Sequence, residues 1–288
     1  MPLHKRLLAC LLAASLATCA ALTAARAQTL PVSPISTAPL AFDATTVGGP
    51  GSRAPAELYR PEGAGPFPAV VVMHPCNGVT AHSRTWARRL VSWGYVAMVV
   101  DSFGPRNVRT VCTRGRLVPP ELRARDALAA ADYLRTRPDV QPGRIGLIGF
   151  SHGGWTVLKT VLAHDAGVTV THPFAAAVAF YPGCQVPRSA LLTDTLILIG
   201  DADDWTPAAR CERWRDTVAK DGHTVDLVVY PGALHAFDAR PGPHAFAGHW
   251  IGGNPAAAQD AFDRTQAFFR QHLMAPSAPA GAGQRNSQ

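Results

Sequence analysis

Apolar residues in this chain fall in short unbroken runs, separated by longer stretches in which they recur at helical spacing. The runs lie at Ala69 to Met73, Val96 to Val100, Ile145 to Ile148, Ala176 to Phe180 and Leu196 to Ile199, with a sixth at Val225 to Tyr230 broken only by Asp226. A run that is apolar at every position, rather than at every second one, predicts a strand covered on both faces. A further strand is predicted near Ala56 to Tyr59. Helices are predicted near Ser83 to Trp93, Glu121 to Thr136, Trp155 to His164, Ala208 to Lys220 and Ala256 to His272. Their alternation with the strands predicts an α/β fold, a mainly parallel central sheet with helices on both faces. Pro31 to Pro39 is proline-rich, and Ala275 to Gln288 is small and polar. The chain therefore divides into an extended lead-in (28–54), one α/β domain (55–274) and a disordered tail (275–288).

Composition agrees with one sizeable domain: 288 residues, 47% hydrophobic and 16% charged. The first 27 residues add a targeting signal. His4-Lys5-Arg6, an almost wholly apolar or small stretch from Leu7 to Leu22, and Ala25-Arg26-Ala27 have the layout of a secretory signal peptide. The stretch is marginally short for a membrane anchor, and Leu16-Ala17-Thr18-Cys19 leaves a lipoprotein as a minor alternative. The expectation is export, periplasmic or secreted, with no stable membrane insertion after cleavage. Cleavage removes Lys5, Arg6 and Arg26 and leaves 24 basic against 20 acidic residues, a net charge of +4. With arginines scattered and no basic run interleaved with aromatics, nucleic-acid binding is not expected. Four cysteines remain, Cys76, Cys112, Cys184 and Cys211, an even number suited to two disulfides in an oxidising compartment. Spacing allows three pairings and does not choose among them. No metal-ligand spacing occurs, so neither metal nor organic cofactor is expected.

The chemistry concentrates where strands end. Gly149-Phe150-Ser151-His152-Gly153 follows a strand and opens a helix, the Gly-x-Ser-x-Gly arrangement of a nucleophile elbow. Such a turn forces the serine into a strained conformation that tolerates only small neighbours. It also places the hydroxyl beside the unpaired N–H groups of a helix N-terminus. The acid and base expected downstream follow in the order Ser, Asp, His. Asp203 lies in the loop after Leu196 to Ile199, and His235 in the loop after Val225 to Tyr230. Asp201 and Asp204 are the competing acids, the first as a solvated loop carboxylate and the second as a helix cap. The strand ending at Met73 runs into His74-Pro75-Cys76-Asn77-Gly78, so the backbone N–H groups of Cys76 and His152 are the candidate oxyanion donors, with His74 orienting that loop. In an open α/β sheet, ligands bind beyond the carboxyl ends of the strands, where all these residues converge. Disulfides Cys76–Cys112 and Cys184–Cys211 are expected, because each pair then borders the site.

With the elbow, Gly200-x-x-Asp203-x-x-x-Pro207 and Tyr230-Pro231-Gly232-Ala233-Leu234-His235-Ala236-Phe237, the chain resembles the dienelactone hydrolase family of the α/β-hydrolase fold over roughly residues 55–272. Two positions depart from the namesake enzymes, which have a cysteine nucleophile in place of Ser151 and a glutamate in place of Pro75. The resemblance implies hydrolysis of a small-molecule ester or lactone through an acyl-enzyme, by a protein expected to be monomeric. An acyltransferase using the same intermediate and a non-catalytic binding protein are the alternatives. The resemblance also implies substrate-carboxylate contacts from Arg106 and Arg240, each displaced by about one residue. The competing expectation, which we favour, is that both are solvated or pair with Asp101 and Asp238.

Overall fold

In the computed structural model of the chain, residues 36–43, 53–162, 170–185 and 189–274 are described, and the expected signal segment and C-terminal tail lie outside them. Five of the apolar runs become the middle of an eight-stranded sheet, whereas Val225 to Tyr230, expected to be covered on both faces, forms its edge with Asp226 exposed. Strands β1 (Ser36–Asp43), β2 (Arg53–Arg60), β3 (Phe67–Met73), β4 (Val96–Val100), β5 (Val140–Phe150), β6 (Ala176–Phe180), β7 (Thr195–Gly200) and β8 (Val225–Tyr230) stand in the order β1-β2-β4-β3-β5-β6-β7-β8. β4 to β8 pair in parallel, while β1 and β2 join antiparallel at one edge. Val70, Val71, Val72 and Met73 are fully buried, as is every residue of β4. Burying one such valine or methionine side chain contributes about 1.5–3 kcal/mol, so these two strands are a large part of what holds the sheet together.

The segment 28–54, expected as a lead-in outside the domain, instead supplies β1. Its register runs from Ser36 opposite Arg60 to Asp43 opposite Arg53. Pro39 masks this strand in the sequence, because proline cannot donate to a ladder. At a sheet edge that missing donor costs little. Phe42 anchors the strand, buried and 6.1 Å from the ring of Tyr133.

Helices α1 (Ala81–Ser92), α2 (Pro120–Arg135), α3 (His152–Thr160), α4 (Ala208–Thr217) and α5 (Pro255–Phe269) fill the connections. The β3–β4 and β4–β5 crossovers travel in opposite directions across the sheet. Right-handed connections therefore put α1 and α2 on opposite faces. α1 shares its face with α5, where Trp86 meets Phe262 at 5.3 Å. The chain reverses direction at β3, so a crevice opens between the carboxyl ends of β3 and β5. One further element was not expected, a hairpin of β9 (His244–Phe246) and β10 (His249–Ile251) after β8. Among the described residues no helix is long and apolar enough to cross a membrane.

Candidate active site

Ser151 sits between β5 and α3 with φ 54° and ψ −115°, a left-handed conformation that only a surrounding framework can impose on a non-glycine residue. The framework is tight. A Cβ at Gly149 would stand 2.2 Å from the Gly153 carbonyl oxygen, and one at Gly153 would stand 2.1 Å from that of Met73. The two glycines thus let α3 press against the ends of β5 and β3 together. The Ser151 N–H donates to the Phe180 carbonyl at 3.0 Å.

Ser151 Oγ lies 2.8 Å from His235 Nε2, and His235 Nδ1 lies 2.8 Å from Asp203 Oδ2. All three residues are buried. Asp203 is itself held: its Oδ1 accepts the N–H groups of Trp205 at 3.0 Å and Thr206 at 2.8 Å, and its Oδ2 accepts the Thr206 hydroxyl at 2.8 Å. The neighbouring acids are turned to other work. Asp201 accepts the Gly232 N–H at 2.6 Å, which ties the end of β7 to the turn after β8. Asp204, considered above as a helix cap, instead reaches the hairpin, 3.4 Å from both the Trp250 N–H nitrogen and His249 Nδ1.

The His235 ring is packed between aromatics that sequence reasoning did not single out. Tyr181 meets it edge-on at 4.7 Å and Trp205 lies tilted at 4.9 Å. Trp205 in turn stacks on His249 of the hairpin at 4.7 Å and 12°. Tyr181 has φ 36° and its hydroxyl donates to Asp238 at 2.8 Å. Asp238 also takes Trp86 Nε1 at 2.7 Å and His82 Nε2 at 2.8 Å. Burial opposes ionisation of Asp238, but the facing His82 and the hydrogen bonds from His82, Trp86 and Tyr181 outweigh it and hold the carboxyl below its ordinary range.

A cavity of about 440 Å³ opens over Ser151. Its wall includes Trp155, Trp205 and His249, and also Cys76, Cys112 and Cys184. Cys76 is bridged to Cys112 and Cys184 to Cys211, the pairs expected from the sequence. His152 is the first residue of α3, so its N–H is one of the helix's four without an intrahelical acceptor. His74 is fully buried. Its Nδ1 donates to the Pro75 carbonyl at 2.7 Å and its Nε2 accepts from the Ser102 N–H at 3.3 Å.

Neither arginine implied by the family resemblance lines this cavity. Arg106 forms a two-pronged pair with the buried Asp126 at 2.9 and 3.0 Å and also donates to the Ser102 carbonyl. Its partner is thus Asp126, not Asp101. Arg240 is exposed, and the side chain of Asp238 is taken by the three donors above. Arg106→Ala would leave the Asp126 carboxylate buried without its two-pronged partner. The expected result is a loss of about 3 kcal/mol in urea unfolding, with KM rising no more for anionic than for neutral esters.

The dienelactone hydrolase family model matches residues 54–273. The chain is 29% identical over 243 residues to a protein of Methylorubrum extorquens strain AM1 that is provisionally named a carboxymethylenebutenolidase, covering 77% of this chain and 78% of that one. It is 25% identical to the solved structure of a provisional dienelactone hydrolase of Klebsiella pneumoniae, with a TM-score of 0.61 over 82% of this chain and 99% of that chain. The propionate-bound esterase of Thermogutta terrifontis, at 19% identity and a TM-score of 0.62 over 84% of this chain and 97% of that one, shares the fold. The chain belongs to the dienelactone hydrolase family and is a carboxylic ester hydrolase.

Proposed function

We propose that the protein hydrolyses small carboxylic esters or lactones through an acyl-enzyme on Ser151, with His235 as the base and Asp203 as its partner. The observation that carries this reading is the continuous chain Ser151 Oγ, His235, Asp203, with both links at 2.8 Å. Asp203 fixes a proton on Nδ1, which leaves Nε2 free to accept. Ser151 Oγ attacks the carbonyl carbon as His235 takes its proton, and the N–H groups of Cys76 and His152 receive the oxyanion. The tetrahedral intermediate collapses, the C–O bond to the alcohol breaks, and His235 returns the proton to the leaving oxygen. Water, deprotonated by the same imidazole, then releases the acid and restores Ser151.

The two departures from the namesake enzymes fit this reading. A serine needs the buried Asp203–His235 pair to activate it, and that pair is in place. Pro75 leaves the loop to be organised by backbone contacts and by the Cys76–Cys112 bridge rather than by a glutamate. The bridges also support export to an oxidising compartment.

A p-nitrophenyl phosphonate tests the assignment. It is expected to inactivate the enzyme with one adduct per chain, mapped to Ser151 by peptide mass spectrometry. Complete inactivation with the adduct on another residue refutes the mechanism.

A further inference from the structure

Arg123 has no part in the steps above, yet it is the largest of the fully buried side chains. From α2 it reaches both sides of the crevice. Its Nη2 donates to the His74 carbonyl at 2.7 Å, and its Nη1 meets His152 Nδ1 at 2.7 Å. The second contact fixes a tautomer. A guanidinium only donates, so His152 Nδ1 carries no proton, and Nε2–H donates to the Gly115 carbonyl at 2.7 Å. On His74 the Nδ1 proton is committed to the Pro75 carbonyl, so the 3.3 Å approach of Nη2 to that nitrogen is a close contact between donors. The carbonyl is the true acceptor.

The two anchors flank the oxyanion donors. His74 stands two residues before Cys76, and His152 supplies the second N–H from its own backbone. Burial lowers the pKa of Arg123 to about 9 against the attraction of Asp126, so the cation persists at neutral pH. Burial and then repulsion by Arg123 bring His152 down to about 3, so its ring stays neutral and able to accept.

We propose that Arg123 is the positioning residue of the oxyanion hole: its guanidinium braces the loop after β3 against the start of α3, and so sets the separation of the Cys76 and His152 N–H groups. The proposal rests on the hydrolytic reading above. Arginine suits the role because its planar fork holds two donors at a fixed spread, which an ammonium does not. The brace acts on the transition state, because the oxyanion forms only there, whereas ground-state ester is held by the cavity wall, to which Arg123 does not contribute.

The test compares Arg123→Met and Arg123→Lys with the parent, using a neutral p-nitrophenyl ester and a trifluoromethyl ketone that forms a tetrahedral adduct with serine. Loss of a well-placed oxyanion donor costs about 100-fold or more in kcat. The expected fall is therefore about 100-fold in kcat for Arg123→Met and about tenfold for Arg123→Lys, with KM changed less than about threefold. The ketone inhibition constant is expected to rise by the factor by which kcat/KM falls. A folded Arg123→Met enzyme with kcat within about threefold of the parent, or with a raised KM alone, overturns the proposal. If Arg123→Met does not fold, Arg123→Lys combined with His152→Phe decides. That second change keeps the backbone N–H but removes the acceptor, so the pair is expected to lose less than the product of the single losses, and strictly multiplicative losses overturn the brace. Phosphonate labelling of the parent separates the two readings. An unlabelled Ser151 removes the hydrolytic premise and this proposal with it, while a labelled parent with unaffected Arg123 variants removes only the proposal.

Discussion

Ser151→Ala is expected to lower kcat/KM for p-nitrophenyl esters by at least about 10³-fold while the urea midpoint moves little. The large loss follows if, as proposed, Ser151 Oγ is the attacking atom, 2.8 Å from His235 Nε2. The small stability change follows from what the hydroxyl does not do. The strained φ of 54° is imposed by the packing of Gly149 and Gly153 around it, and alanine occupies the same backbone position. Activity within tenfold of the parent, measured on protein free of parental enzyme, would show that the nucleophile lies elsewhere.

Asp203→Asn is expected to cost on the order of 10⁴-fold in kcat, because an amide facing His235 Nδ1 stabilises the tautomer that cannot accept the serine proton. The two neighbouring acids provide the contrast. Asp201→Asn weakens a bond to the Gly232 N–H at the exposed end of β7, and Asp204→Asn touches only the hairpin. Each is expected to retain activity within a few-fold of the parent. The measurement is steady-state hydrolysis by all three variants under one set of conditions. A severe Asp201→Asn with a mild Asp203→Asn would move the acid two residues toward the strand.

The strands that carry the site were legible because their burial is absolute. Val70 to Met73 and Val96 to Val100 have no solvent face, so the sequence has no reason to alternate there. The position of Ser151 was legible for a related reason, since it follows the buried end of β5 directly, and Asp203 and His235 lie in the short loops after β7 and β8. What escaped notice depends on contacts distant in sequence. β1 hides behind Pro39 and has a single ladder neighbour. The hairpin strands are three residues each and largely exposed, so they carry no periodic signal. Arg123 reads in sequence as a polar residue on an amphipathic helix, and nothing local shows that its helix face meets two histidines from other elements. For Arg106 the favoured expectation, an ion pair rather than a substrate contact, named the wrong acid. Asp101 lies nearer in the chain, but a carboxylate 20 residues later on α2 claims the guanidinium.

The hairpin is fastened to His235, the proposed base. Ile251 forms a β-bridge with His235, and the Gly252 N–H donates to the His235 carbonyl at 3.0 Å. The same hairpin puts Ala247 and His249 into the cavity wall and stacks His249 on Trp205, which touches the His235 ring. Substrate preference and turnover are therefore not separable traits in this enzyme. A change that enlarges the cavity at His249 also loosens the packing of the His235 imidazole, the proposed base. Laboratory evolution toward bulkier esters would be expected to proceed through compensated pairs of substitutions, one reshaping the hairpin and one restoring the stack on Trp205, rather than through independent single steps.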